Sequence, residues 1–444
     1  MMKVIKYPSK QDWRILTKRP EITRNELDAI VTEVLANVKQ NKDQALLKYA
    51  QKFDDVKLTS LSVSESEVSE AIALVPDELK AAISLAKNNI EKFHIAQKNA
   101  VEIIETTPGV QCWRKSLPIE KVGLYIPGGT APLFSTILML GVPATLAGCK
   151  EIILCSPPNK EGKIHPVILY TAKLVGITKV YKSGGAQAIA AMAYGTETIP
   201  QAYKIFGPGN QFVTKAKELV QLCGVAIDMP AGPSEVLIIA DETCNPSFVA
   251  ADLLSQAEHG TDSQVILLSD NEKVIKDTIV ELTKQLAELP RFDIAAQALK
   301  NSSAIVLETI NDCIQFSNEY APEHLILASE KADKWLDSIT NAGSVFIGNY
   351  SCESAGDYAS GTNHTLPTNG YAKNYSGVSL DSFVKKVTFQ KLSKQGIQNI
   401  GPAIELMAEA EELFAHKNAV TLRLKENVYF KKYSPRKHSK LESI

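Results

Sequence analysis

The sequence predicts an α/β protein in which parallel sheets are covered by helices on both faces. Two observations lead to this prediction. From residue 122 onward, short apolar runs that end at glycine or proline alternate with helical stretches, which is typical of strand–helix–strand crossovers. The same rhythm starts again after the turn at 230–233. Two successive α/β halves of similar plan are therefore expected.

Helices precede the first α/β half. The first 22 residues are predicted to form a short arm without a clear period, and Thr23-x-x-Glu26 then predicts a helix start through a capping box. Apolar residues at 27, 30, 31, 34, 35 and 38 form one stripe of an amphipathic helix. A second capping box, Ser64-x-x-Glu67, opens another helical region. Residues 23 to about 100 are therefore predicted to be mostly helical.

The strands follow the apolar runs. In the first half they are predicted at 122–126, 151–155, 179–183 and 203–206, and in the second half at 235–240, 264–268, 304–307, 324–328 and 344–348. A segment rich in Gly, Ser, Asn and Asp, 349–374, is predicted to be a long loop. A helix from about 402 to 416 follows, and the tail from Ser434 onward is polar and locally basic.

One apolar stretch could suggest a membrane helix, because residues 122–149 carry no charge over 28 positions. Three prolines (Pro127, Pro132 and Pro143) and five glycines divide this stretch into short elements. We interpret it as a buried strand, a loop and a helix. No membrane partner is expected.

Composition narrows the function further. Hydrophobic residues make up 45% of the 444 residues and charged residues 22%, as in ordinary soluble proteins. The 48 basic residues nearly balance the 50 acidic ones, so there is no basic excess for nucleic acid. The seven cysteines include no Cys-x-x-Cys pair, which favours reduced thiols and argues against a thiolate zinc site. We expect a cytoplasmic protein that binds small molecules.

Two polar segments around histidines carry candidate chemistry. Gln256 and His259 are three residues apart at the end of a predicted helix, so both can face one divalent ion, although a solvated helix end is the simpler explanation. Glu323 and His324 stand directly before an apolar run, where a carboxylate and an imidazole suit acid–base catalysis. An ordinary surface turn is the alternative for this second pair.

Two further segments contain histidines beside acidic residues. Asp357 and His364 lie seven residues apart in the predicted long loop, which is either a site or simply solvated. Glu412 and His416 have the i, i+4 spacing of an ordinary pair on a helix surface.

Glycine turns follow several predicted strands, at 128–129, 184–185 and 207–209. There backbone could approach a phosphate closely, or the glycines could merely turn the chain. The fingerprint Gly-x-Gly-x-x-Gly is incomplete, because Phe212 stands where the third glycine belongs. A dinucleotide site is therefore permitted by these residues without being required.

Taken together, eight segments resemble the histidinol dehydrogenase family in order and spacing. They are YIPGGTAPLFST, GGAQAIAA, FGPGNQFV, DMPAGPSEVL, DLLSQAEHG, APEHL, GDYASGTNH and AHKNAVTLR. The resemblance covers roughly residues 25 to 425.

The resemblance implies a zinc-dependent, NAD-linked oxidation of L-histidinol to L-histidine in two successive steps through L-histidinaldehyde. It implies one zinc per subunit, with Gln256, His259 and Asp357 as ligands from one chain. His416 of the partner subunit would complete the ligands in an interlocked homodimer with shared active sites. The surface interpretation of His416 would then be wrong.

The resemblance also assigns roles to single residues. Glu323 and His324 match the catalytic acid–base residues. Tyr125, Gln187 and Asn210 match positions that line the NAD site. The substrate-binding positions are Ser234, Gln256, His259, His324, Asp357, His364, Glu411 and His416.

The fold implied by the resemblance is two incomplete Rossmann-like domains, doubly wound around mainly parallel sheets, with small N- and C-terminal arms exchanged in the dimer. The expected divisions are an arm at 1–22, a first domain at 23–117 and 232–375, an NAD-binding domain at 118–231, a dimer arm at 376–433 and a tail at 434–444 without an assigned role.

Two rival hypotheses remain at this point. A zinc hydrolase would use Gln256, His259, Asp357 and His416 for the metal and Glu323 to activate water, without NAD. A non-catalytic α/β ligand-binding protein would have no need of Glu323 and His324 beside a metal.

Overall fold

The computed structural model describes residues 2–19, 24–128, 132–230 and 232–432. The chain divides into two units. The main unit comprises Met1–Lys98 and Pro118–Val384, and the second unit comprises Asn99–Leu117 and Lys385–Ile444. The polar tail from 434 lies outside the described residues.

The elements run as follows. The strands are β1 (Lys3–Lys6), β2 (Ile103–Thr107), β3 (Val110–Pro118), β4 (Lys121–Tyr125), β5 (Glu151–Ser156), β6 (Lys179–Lys182), β7 (Lys204–Phe206), β8 (Ala226–Ile227), β9 (Glu235–Ala240), β10 (Gln264–Ser269), β11 (Ser303–Val306), β12 (His324–Ala328), β13 (Ser344–Ile347) and β14 (Val384–Leu392). The helices are α1 (Lys10–Leu16), α2 (Arg24–Phe53), α3 (Glu65–Leu74), α4 (Asp77–Ile95), α5 (Phe134–Ala147), α6 (Pro166–Leu174), α7 (Gly185–Tyr194), α8 (Gln211–Val220), α9 (Pro246–Ala257), α10 (Glu272–Glu288), α11 (Phe292–Ala298), α12 (Ile310–Tyr320), α13 (Glu353–Tyr358), α14 (Lys394–Ala410) and α15 (Phe414–Lys432).

Two parallel sheets form the main unit. The five-stranded sheet has the order β6-β5-β4-β7-β8, and the six-stranded sheet has the order β1-β11-β10-β9-β12-β13. Within each α/β half the strands therefore follow the order 3-2-1-4-5, which is the Rossmann order without its sixth strand. The predicted class, two incomplete doubly wound halves, is confirmed. The short strands β1 and β8 were not predicted, because four and two residues are too few for a recognisable pattern.

Helices cover both faces of each sheet, so the central strands are apolar without alternation. Residues of β9 and β10 are all buried. Helices α2, α7 and α8 cover one face of the five-stranded sheet, and α4, α5 and α6 cover the other. On the six-stranded sheet α9 and α10 oppose α1 and α12, where Trp13 meets Phe316 edge to face.

The mostly helical region after residue 23 is confirmed, since α2, α3 and α4 fill it. Val31 of α2 and Ile90 of α4 belong to the cores of the five-stranded sheet. The grouping of 23–117 with 232–375, which the family resemblance implies, stays a prediction. An amphipathic stripe predicts a helix and its buried face but not which of two sheets that face covers.

The second unit contains a three-stranded sheet of order β14-β3-β2, in which β2 and β3 are antiparallel, and the helices α14 and α15. The prediction of one helix from 402 to 416 is wrong: α14 ends at Ala410, α15 begins at Phe414, and Glu412 between them has a φ of 59°. Glu412 and His416 are therefore no i, i+4 pair on one helix.

Two other segments can be compared with their predictions. The long loop 349–374 contains the short helix α13, which its small polar composition had hidden. Within the uncharged stretch 122–149, the predicted strand and helix are confirmed: residues 122–125 belong to β4 and residues 134–147 form α5. In the described ranges, every helix is too short or too polar to cross a membrane.

Candidate active site

The predicted acid–base residues lie at the amino edge of the six-stranded sheet. Strands β9 and β12 are neighbours there, with His324 paired to Val236. The strand order reverses between β9 and β12, because β10 and β11 lie on the outer side of β9 and β13 lies on the outer side of β12. The loops that enter these two strands carry Ser234 and Glu323. Residues far apart in the chain thus meet at one edge.

The backbone of Glu235 holds both acid–base side chains. Its N–H donates to Glu323 Oε2 at 3.0 Å, and its carbonyl oxygen lies 3.3 Å from His324 Nδ1. Glu323 Oε2 is 3.6 Å from His324 Nδ1, and both residues are buried, 6% and 4% exposed. Because the contacts run to a central strand, the pair is held by the sheet itself.

Three of the four predicted metal ligands gather beside this pair. Ligand atoms of His259, Asp357 and Glu353 all lie within 4.8 Å of one another. Gln256, at the end of α9, contacts the same cluster. In the amide orientation that gives both atoms a complementary partner, its nitrogen donates to the Glu353 carboxylate, and its oxygen shares the Glu235 N–H with Glu323 at 2.8 Å. The end of α9 and the short helix α13 bring these groups together.

Glu353 was missed by the sequence reasoning. It precedes Asp357 by four residues, so both lie on one face of α13. That spacing is a signal only once the segment is known to be helical, and the segment was predicted to be a loop.

Charge is unbalanced within this cluster. Burial raises the pKa of Glu323 to about 8 and the pKa of Glu353 to about 8. Burial also lowers the pKa of His324, but the carboxylates of Glu353, Glu323 and Asp357 outweigh it and raise that pKa to about 10. The cluster therefore attracts a positive charge, either a proton on His324 or a bound cation.

Two buried atoms point to a cation. His324 Nε2 and Asp357 Oδ1 lie 3.6 Å apart, and neither has a hydrogen-bond partner among the described residues. Imidazole, carboxylate and amide groups are ligands that zinc accepts. The ligand atoms of His259, Asp357 and Glu353 therefore suit a zinc ion, and Gln256 contacts this group through Glu353.

The predicted substrate residues fall into two places. Ser234 directly precedes β9 and lines a small recess together with Arg19, Gln264 and Tyr320. His364 bridges the two halves of the main unit: its Nδ1 lies 3.0 Å from the Asp357 carbonyl oxygen, and its Nε2 lies 3.2 Å from Thr136 Oγ1 on α5. Burial lowers the pKa of His364.

The other two candidates belong to the second unit. Glu411 is the C-cap residue directly after α14, and His416 lies in the first turn of α15. Both are exposed.

The predicted NAD residues meet at the carboxyl edge of the five-stranded sheet. Tyr125 ends β4, and its hydroxyl accepts from the Gly185 N–H at 3.1 Å. Gln187 lies in the first turn of α7. Asn210 caps α8, its Oδ1 accepting from the backbone of Phe212 at 3.1 Å. Helix N-termini at this edge suit phosphate groups.

Two sheets of Rossmann order, one with helix N-termini at its edge and one with a buried imidazole–carboxylate cluster, define an α/β enzyme with acid–base chemistry. The histidinol dehydrogenase family model matches residues 17–424. The histidinol dehydrogenase of Bacteroides thetaiotaomicron is 58% identical over 424 residues, covering 96% of this chain and 99% of that protein. The one of Escherichia coli is 53% identical over 414 residues, covering 93% and 94%.

A solved structure agrees. The crystal structure of histidinol dehydrogenase from Elizabethkingia anophelis has a TM-score of 0.95 and 63% identity, covering 96% of this chain and 99% of that one. The chain belongs to the histidinol dehydrogenase family. It is an oxidoreductase of histidine biosynthesis.

Proposed function

We propose that this enzyme oxidises L-histidinol to L-histidine in two successive steps through L-histidinaldehyde, with zinc and two NAD. The single observation that supports it best is the buried Glu323–His324 pair beside the cluster of metal-ligating atoms. The relatives that carry the name histidinol dehydrogenase supply the substrate class.

The metal is assigned to Gln256, His259 and Asp357 of one subunit and to His416 of the partner subunit. When bound there, zinc would hold the imidazole and amine of the substrate and offset the negative charge of the cluster. Ser234 directly precedes Glu235, whose backbone contacts Glu323 and His324, and we assign it to the same substrate.

His324 is the base of both oxidations. Zinc bound beside the carboxylates would offset their charge and favour the neutral imidazole of His324, which is the form that accepts the hydroxyl proton of histidinol. Hydride leaves the same carbon for the nicotinamide, which gives the aldehyde and NADH.

Glu323 serves the second half. It takes a proton from water as the water oxygen adds to the aldehyde carbon, and the resulting hydrate loses hydride to a second NAD. The backbone of Glu235 keeps the two groups adjacent, so one site performs both steps.

The cofactor is assigned to the carboxyl edge of the five-stranded sheet. Tyr125, Gln187 and Asn210 surround the starts of α7 and α8, where free backbone N–H groups and the positive helix ends favour a pyrophosphate. His364 connects this half to the cluster through Thr136 and Asp357.

A homodimer is supported by the surface of the second unit. Leu406, Met407 and Phe414 on α14 and α15 are 70, 65 and 62% exposed, although each is a large apolar side chain. Such a surface favours a partner, and we assign it to a second copy of this chain. In the dimer, helices α14 and α15 would carry Glu411 and His416 into the site of the partner subunit.

The first test measures NADH formation from L-histidinol by absorbance, before and after chelation and after zinc restoration. Two NADH for each histidinol, lost on chelation and regained with zinc, is the expected result. Absence of NADH from folded, zinc-loaded protein would contradict the proposal, and turnover without NAD would identify a hydrolase.

The second test asks whether the sites are shared. His416→Ala should lose zinc in the assembled protein, and His324→Asn should keep zinc and lose turnover. When the two inactive variants are unfolded and refolded together, mixed dimers contain one intact site. Activity should return to about a quarter of the wild-type rate, as random pairing of a twofold dimer requires. No recovery, with mixed dimers shown to form, would reject shared sites.

A further inference from the structure

A buried ion pair lies next to the glycine-rich turn after β7, and the proposed reaction uses neither partner. Lys217 of α8 and Asp228, which follows β8, have Nζ and Oδ1 2.5 Å apart. Their side chains are 4% and 1% exposed, so both charges are removed from water. Burying two charges is costly, and an apolar pair of similar size commonly gives equal or greater stability. We therefore expect the pair to have a function other than stabilising the fold.

Both members of the pair bond to the same glycine. Lys217 Nζ donates to the carbonyl oxygen of Gly207 at 2.9 Å, and the N–H of Gly207 donates to Asp228 Oδ2 at 2.8 Å. Asp228 Oδ1, the oxygen that pairs with Lys217, also accepts from the N–H of Met229 at 2.8 Å. One ammonium and one carboxylate thus hold the carbonyl and the amide of a single residue, which leaves its orientation little freedom.

The turn also presses against the neighbouring strand. Gly207 has a φ of 127°, and a Cβ there would overlap the carbonyl oxygen of Tyr125 at the end of β4. Three residues later the turn reaches Asn210, the N-cap of α8. Lys217 lies seven residues further along the same helix, so two helical turns connect the cap to the residue that holds Gly207.

We propose that the Lys217–Asp228 pair is a positioning element for the cofactor. It sets the turn 207–210 in its binding shape before NAD arrives, so that binding costs no reordering of this backbone. The inference rests on the proposed NAD site, since Tyr125 and Asn210 flank the turn.

The test compares NAD affinity in three variants of the full-length, zinc-loaded protein, measured by calorimetry at a temperature where each is folded. Lys217→Met removes the charged donor and leaves Asp228 buried without its partner. The double variant Lys217→Met/Asp228→Leu replaces the pair by apolar side chains. Lys215→Met is the matched control, because Lys215 lies on the same helix and pairs with Asp28 and Glu218 nearer the surface.

We expect Lys217→Met to weaken NAD binding about tenfold or more and to raise KM for NAD similarly, with a smaller change in kcat. Zinc content and histidinol affinity should stay at wild-type levels. The double variant should regain thermal stability without regaining NAD affinity, whereas a merely structural role would restore both together. Lys215→Met should behave as wild type.

Two outcomes would overturn the inference. One is wild-type NAD affinity in Lys217→Met, and the other is wild-type affinity in the double variant. If Lys217→Met does not fold, the double variant decides alone, with hydrogen exchange at 204–210 showing whether the turn has loosened. Wild-type protein that binds no NAD would contradict the proposed cofactor itself, which separates that failure from a failure of the pair.

Discussion

The two parallel sheets share one strand order and use opposite edges. In the five-stranded sheet the candidate cofactor residues Tyr125 and Asn210 lie at the carboxyl edge, beside the starts of α7 and α8. In the six-stranded sheet Glu323 and His324 lie at the amino edge, beside the end of α9. Strand order alone therefore predicts where a crevice opens along the sheet but not on which edge.

The direction of the helices explains why the two candidate sites lie at opposite edges. The carboxyl edge of a parallel sheet meets helix N-termini, whose free N–H groups and positive dipole ends favour anions. The amino edge meets helix C-termini, whose negative ends favour cations. Gln256 and His259 lie at and just beyond the end of α9, where a divalent cation gains from this field. One fold thus offers an anion edge and a cation edge, and substitutions should affect them separately.

The substitution His324→Asn should give the largest effect that is confined to one of the two edges. An asparagine can still bond to the Glu235 carbonyl but cannot take a proton, so kcat should fall by about 10²–10⁴-fold. Zinc content, by elemental analysis, and NAD affinity, by calorimetry, should match the wild type. Activity near the wild-type level would remove the base role from His324.

The second effect concerns Glu353→Gln. The variant loses a negative charge of the cluster and the carboxylate that accepts from the Gln256 amide, so zinc affinity should fall by about 10–100-fold. NAD affinity should not change. Competition with a zinc indicator measures the effect. The control is Glu308→Gln, which removes an exposed charge just beyond β11 at the opposite edge of the same sheet. Equal losses in both variants would mean a general charge effect.

The third effect lies at the anion edge. Gly207→Ala forces a Cβ onto the Tyr125 carbonyl, so the turn must move, and NAD affinity should fall by about tenfold at a stability cost of about 1–3 kcal/mol. Zinc affinity should stay unchanged. Gly224→Ala is the control: Gly224 also has a positive φ, 85°, but open space around it. It should lower thermal stability and leave NAD affinity intact, and an equal loss of NAD affinity there would contradict the local explanation.

Much of this arrangement could be predicted from the sequence, and the failures have physical reasons. The apolar runs predict most central strands because burial on both faces leaves a continuous pattern. The break between α14 and α15 at Glu412 has no glycine or proline to predict it. Helix α13 is too short and polar to show a helical pattern, so Glu353 was not predicted as a site residue. The edge at which each site lies depends on loops from distant segments, which no local pattern encodes.

The smallest effect tests the anion edge without disturbing its backbone. Tyr125→Phe removes one hydroxyl that accepts from the Gly185 N–H, a neutral hydrogen bond of about 0.5–1.5 kcal/mol. NAD affinity should therefore fall about two- to tenfold, with zinc affinity unchanged. Tyr181→Phe, at a buried tyrosine on the nearby strand β6, is the control and should leave NAD affinity intact.

The pH dependence of the loss of NAD affinity in Tyr125→Phe tests whether the Tyr125 hydroxyl acts as a neutral hydrogen-bonding group. Burial raises the pKa of Tyr125 to about 12, so its hydroxyl keeps its proton throughout the range in which the enzyme can be assayed. Deprotonation would begin only as pH rises toward that value. The ratio of wild-type to variant NAD affinity should therefore be the same at pH 7 and pH 9. A ratio that changes over this interval would show an ionising tyrosine at the cofactor edge, and the neutral hydrogen bond would no longer account for Tyr125.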